Sequence, residues 1–128
     1  MRAALIASAA IACAAASHRG GRAVYIEAVT EAAAVEAQLE KELELEGDRI
    51  VRGPEGADLT MRLEWQGTLE KSIDLRAPGA YTLTVVRGRA PGKKFTSLDQ
   101  VCRTAGQLPS ECHAGRFLRD LEESGELK

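Results

Sequence analysis

The chain has 128 residues, 45% of them hydrophobic, with 17 basic against 19 acidic side chains and a formal net charge of −2. That length supports one domain around one modest core. The near-neutral balance lacks the net basic surface that nucleic acid phosphates demand, so no nucleic acid partner is expected.

Residues 1–17 read as an export signal. Arg2 precedes an uncharged apolar run from Ala3, which dissolves into small residues before Ser17 and His18. This is the order of charged start, apolar stretch and cleavage zone in a secretory leader. The run falls short of the ~20 apolar residues that span a bilayer, so the mature protein is expected to carry no transmembrane helix. Residues 18–22 then form a short linker, and residues 23–128 a single domain. Cys13 follows Ala9-Ala10-Ile11-Ala12, a tract that resembles the lipobox of bacterial lipoproteins but departs from it at Ala10, where that motif usually has Leu. The resemblance implies cleavage before Cys13, its lipidation, and anchoring to a membrane. Small residues at Ala14, Ala15, Ala16 and Ser17 also suit an ordinary signal peptidase, and Arg19 with Arg22 suits an organellar transit peptide, so three fates stay open.

Residues 23–29 are rich in strand formers, and Thr30 with Glu31 offers a capping hydroxyl and an early acidic residue for a helix. Ala32, Val35, Leu39 and Leu43 fall at spacings of three and four and build one apolar stripe, which Gly47 ends. After residues 48–52 and a Gly53-Pro54-Glu55-Gly56 turn, Leu59, Met61, Leu63 and Trp65 alternate with Thr60, Arg62, Glu64 and Gln66, the clearest strand in the chain. A second alternating run is expected over residues 69–75. A type II turn at residues 77–80 then leads to a third, at Tyr81, Leu83 and Val85. Three such strands predict an antiparallel meander with one buried face.

Residues 87–94 read as a Gly/Pro loop carrying Arg87, Arg89, Lys93 and Lys94. Ser97 and Gln100 have capping-box spacing for a short helix that Gly106 stops. Pro109 or Ser110 starts the last helix, in which Ala114, Phe117, Leu118 and Leu121 form a stripe, and residues 124–128 are expected to fray. The fold class expected is α+β, in the order β-α-β-β-β-β-α. One antiparallel or mixed sheet is covered on one face by helices, with a C-terminal helical hairpin.

Loss of the leader with Cys13 leaves an even pair, Cys102 and Cys112. An exported domain oxidises such a pair, although two buried free thiols are the alternative. The small closed loop corresponds to about 3 kcal/mol of stabilisation in the chain-entropy model. Nine intervening residues favour a structural bond over the Cys-x-x-Cys of thiol exchange. Adjacent Cys112 and His113, without a fourth ligand, lack the spacing of a closed zinc site, so no metal is expected. No cofactor signature is present either.

The one histidine beyond the leader and its flank is His113, read as a solvent-facing helical residue; it is also the only candidate base for a hydrolase. Glutamates 36, 40, 42, 44 and 46 read as a solvated helix face, and Met61, Leu63 and Trp65 as core. The basic segment is the best candidate for a binding role, because four cations can track anionic lipid or polymer phosphates.

The β-α pair followed by Gly53-Pro54-Glu55-Gly56-Ala57-Asp58-Leu59 opening a strand resembles small α+β accessory domains of the Gram-negative envelope. These are the TolB N-terminal domain, the curli-secretion lipoproteins, the peptidoglycan-synthase activator (LpoB-like) lipoproteins and the lipopolysaccharide-assembly lipoprotein LptE. The residue-level anchor is the Ala57-Asp58 pair before the strand. The resemblance implies a non-enzymatic accessory or binding module in the periplasm or at the outer membrane, partnered by an envelope protein, anionic lipid or glycan. Two readings compete with it: a small secreted hydrolase or other enzyme, and a secreted β-sandwich binding domain.

Overall fold

A computed structural model describes residues 21–67, 79–87, 90–103 and 106–127, with the backbone alone at residues 90 and 91. Five strands form one mixed sheet: β1 (Ala23–Ala28), β2 (Arg49–Ile50), β3 (Leu59–Gln66), β4 (Ala80–Arg87) and β5 (Ala90–Leu98), in the spatial order β2-β1-β3-β4-β5. Helix α1 (Ala33–Leu45) joins β1 to β2, and α2 (Asp99–Arg103) and α3 (Pro109–Ser124) follow β5. The α+β class expected from the sequence is thus the observed one.

β1 runs parallel to both β2 and β3, as a strand–helix–strand connection permits, whereas β3, β4 and β5 alternate in direction. Cross-strand register puts Ile26, Met61 and Val85 in one row, and Ala28, Leu63, Leu83 and Phe95 in the next. These rows face the helices. Val35, Leu39 and Leu43 of α1 and Ala114, Phe117 and Leu121 of α3 are buried against them in a single core. Each fully buried Leu, Phe or Val is worth roughly 1.5–3 kcal/mol over its exposed state, so this face supplies the principal driving force. The sandwich alternative fails, because helices occupy the place of a second sheet.

The N-terminal edge of the sheet is fixed by Asp58. Its backbone N–H donates to the carbonyl of Ala23 at 2.8 Å, and its Oδ2 accepts from the Ala23 N–H at 2.9 Å. The Ala57-Asp58 pair therefore has a local mechanical role: one carboxylate locks the register of β1 on β3.

Several expectations are corrected. The segment read as a basic loop is mostly strand, since β4 runs to Arg87 and β5 begins at Ala90. A register shift leaves Gly92 and Lys93 opposite Val85, and a β-carbon on Gly92 would come 2.7 Å from the Val85 carbonyl oxygen. Glycine is what lets this bulge close. Ser97 is the penultimate residue of β5 and not a helix cap. Thr30 caps nothing: the chain enters α1 through a 3-10 turn at Thr30–Ala32 without a side-chain cap bond. The C-terminus does not fray at residues 124–127. Gly125 takes a left-handed conformation, Glu126 N–H donates to the Leu121 carbonyl at 3.1 Å, and Leu127 returns to the core at 3% exposure. This is the Schellman arrangement, after which Leu127 joins the core cluster. The strand expected over residues 69–75 and the turn at 77–80 lie largely outside the described residues; β3 pairs with β4.

Asp58→Ala should lower unfolding stability by about 1 kcal/mol, the worth of an ordinary hydrogen bond. Urea denaturation checks this, and Asp58→Asn, which keeps an acceptor oxygen, should avoid most of the loss.

Candidate functional site

Where β5 passes into α2, the sheet delivers Ser97 to its helix-facing side, in register with Tyr81 of β4. The Asp99 N–H donates to the Gly79 carbonyl at 2.9 Å and seats the start of α2 beside β4. α3 opens at Pro109, where a missing N–H is harmless. Its first turns carry Cys112 and His113 inward. Cys102 of α2 and Cys112 of α3 form a disulfide with Cα atoms 5.5 Å apart, the expected pairing.

His113 is the largest departure from the sequence reading: it is fully buried, as is Ser97, both at 0% exposure. Ser97 Oγ lies 2.7 Å from His113 Nδ1 and accepts from Arg116 Nε at 3.1 Å. Since the guanidinium can only donate, the serine proton is free for Nδ1. With the serine as donor to Nδ1 the neutral imidazole carries its hydrogen on Nε2, whereas a serine accepting from both Arg116 and Nδ1–H requires the other tautomer. Nε2 faces Asp99 Oδ1 at 3.5 Å, beyond hydrogen-bond reach. Tyr81 packs edge-on to the imidazole at 4.6 Å and Trp65 against Tyr81 at 4.5 Å. Trp65 is half-buried, whereas Met61 and Leu63 are core as expected. Its indole fills space that only glycine leaves at Gly67 and Gly79.

Burial pushes the His113 pKa below its ordinary value, with the Arg116 charge acting in the same direction and Asp99 opposing both. Asp99 is held low chiefly by Arg103, which donates from Nη2 to Oδ2 at 2.7 Å. Tyr81 is pushed up by burial and then by the Asp99 charge. On α1, burial and the neighbouring Glu36 raise Glu40, so part of the glutamate face is not simply solvated.

Serine, histidine and aspartate are thus neighbours, but their arrangement differs from a hydrolytic triad. There the nucleophile meets Nε2 and the carboxylate holds Nδ1. Here the two partners are exchanged, and the serine hydroxyl is buried. The cluster fastens α3 to β5.

The other expected site residues are dispersed. Arg87, exposed at the end of β4, donates to Glu126 Oε1 from Nε at 3.1 Å and from Nη2 at 2.5 Å, so its charge is spent on the C-terminal tail. Lys93 and Lys94 are exposed on edge strand β5. Cys13 and Arg89 lie outside the described residues. Among the described residues no group of three or more His, Cys, Asp or Glu side chains could hold a metal ion, and no helix is long and apolar enough to cross a membrane. Ser97, Asp99 and Arg116 went unread as a site, but the apolar stripe of α3, extended one turn back from Phe117, lands on His113.

No family model, curated protein or solved structure matches the chain.

Because the folded imidazole is harder to protonate than in the unfolded chain, its contribution to stability is complete above the ordinary value of 6.5 and is lost as pH falls below it. The thermal midpoint should therefore drop between about pH 7 and 5, and His113→Gln should lower the midpoint at neutral pH while flattening that drop. Calorimetry across this range checks both outcomes.

Proposed function

We propose that the chain is an exported, non-enzymatic binding module of a bacterial envelope, either lipid-anchored at Cys13 or released into the periplasm. The Cys102–Cys112 bond carries this reading. Lasting disulfides belong to oxidising compartments, and this one uses the even pair left once the leader is removed. The leader-like start and the resemblance to envelope accessory domains point the same way.

A binding role is supported by the burial of Ser97 and His113, the groups on which a hydrolase would depend. It is also supported by exposed lysines on an edge strand. Among the described residues of the basic segment, Lys93 and Lys94 are exposed and can meet an anionic lipid, glycan or acidic protein, whereas Arg87 is engaged with Glu126. The same lysines, with the bulge, also discourage edge-to-edge pairing of β5. The closeness of Ser97, His113 and Asp99 favours a hydrolase as the second reading. Turnover of an activated ester that disappears in Ser97→Ala would establish it.

The intact mass of protein purified from its native host tests the proposal. The expected product is two hydrogens lighter than its reduced form and begins either at an acylated Cys13 or at a free N-terminus near Ser17. A full-length cytosolic product with every thiol titratable would contradict it.

A further inference from the structure

Beside the buried cluster, α1 and α3 leave an open cleft of about 400 Å³, lined by Gln38 and Glu42 of α1, by Glu111, Gly115, Arg116 and Arg119 of α3, and by Gln107 and Cys112. Its size falls within the range of small-molecule sites, while its lining is more polar than theirs commonly is and suits a charged ligand. Two observations single it out. Arg116 lines the cleft and is anchored: its Nε is bonded to the buried Ser97, which leaves the other guanidinium nitrogens uncommitted. Arg119 stands one turn further on, and among the described residues neither arginine has a carboxylate at ion-pair distance.

The second observation is Gly115. It lies inside a 16-residue helix, where glycine is less favourable than alanine. A turn or a close helix contact would account for it, but a β-carbon there would meet nothing within 4 Å. The protein's own packing does not call for glycine at this place. The α3 backbone is open to the cleft at this point, with room for a ligand to lie against it.

We infer that the α1–α3 cleft binds a short peptide with both termini free, its carboxylate on Arg116 and Arg119, its ammonium toward Glu42 and Glu111, and its backbone along Gly115. Paired guanidiniums suit a carboxylate, since each offers two parallel donors. The two glutamates balance the two arginines, so the site favours a zwitterion over a simple anion. Glu42 already accepts from Gln38 Nε2 at 3.2 Å, which orients it, and the amides of Gln38 and Gln107 match peptide groups. This inference rests on the binding-module reading and adds a ligand class to it. Binding by a cytosolic product would remove the envelope assignment and leave the cleft, and export without binding would do the reverse.

The test is a heteronuclear NMR titration of the full, oxidised chain with tri-alanine, N-acetyl-tri-alanine and tri-alanine amide. Tri-alanine should shift the amide resonances of Gly115, Arg116, Arg119 and Gln38, and each blocked peptide should bind about tenfold more weakly. Arg119→Gln should weaken binding by about tenfold. Gly115→Ala should raise the thermal midpoint, as alanine does inside a helix, yet weaken tri-alanine by a similar factor. The inference is overturned if millimolar tri-alanine shifts none of these resonances, if N-acetyl-tri-alanine binds as well as the free peptide, or if Gly115→Ala stabilises the protein without loss of binding.

Discussion

The contact between Ser97 and His113 is the constraint on which the C-terminal half depends. A neutral imidazole is sealed between the last strand and the last helix, with its Nδ1 satisfied by one hydroxyl at 2.7 Å. Burying a polar ring without that partner would cost on the order of 1–3 kcal/mol. The serine in turn steadies Arg116, and the adjacent Cys102–Cys112 bond closes the turn between α2 and α3. Three kinds of force therefore act within a few residues: a covalent tie, a buried hydrogen bond and the apolar contact of Phe117.

α3 is also held at its far end. The left-handed Gly125, the buried Leu127 and the Arg87–Glu126 pair bring the tail back to β4. The exposed ion pair adds little by itself, so the main weight falls on Leu127 and the backbone cap. A helix fixed at both ends is a rigid platform, and its outer face borders the cleft with α1. Residues that bind from a rigid element keep their positions without a further ordering cost.

Much of this was legible in the order of residues. Leu59 to Gln66 alternates without interruption because one face of β3 is core and the other polar. The α1 stripe is clear because its buried positions are aliphatic. The disulfide followed from parity and context. β5 was not legible, because it is an edge strand with Pro91, Gly92 and two lysines, and a bulge breaks its period of two. His113 was misread because a polar side chain on an apolar stripe suggests exposure until its partner is known, and that partner lies 16 residues away on a strand that read as a cap. The cleft was invisible because its residues come from two helices whose contact only the tertiary fold creates. Gly115 alone carried a signal, as a glycine inside a strong helical pattern.

The same imidazole offers the most direct measurement. Nitrogen-15 NMR of the His113 ring reports which nitrogen carries the proton and at what pH the second arrives. The account predicts one neutral tautomer, protonated at Nε2, that persists below the ordinary value of 6.5 and exchanges slowly with water. A ring that titrates near 6.5, in rapid exchange with solvent, would contradict the buried brace and the platform built on it.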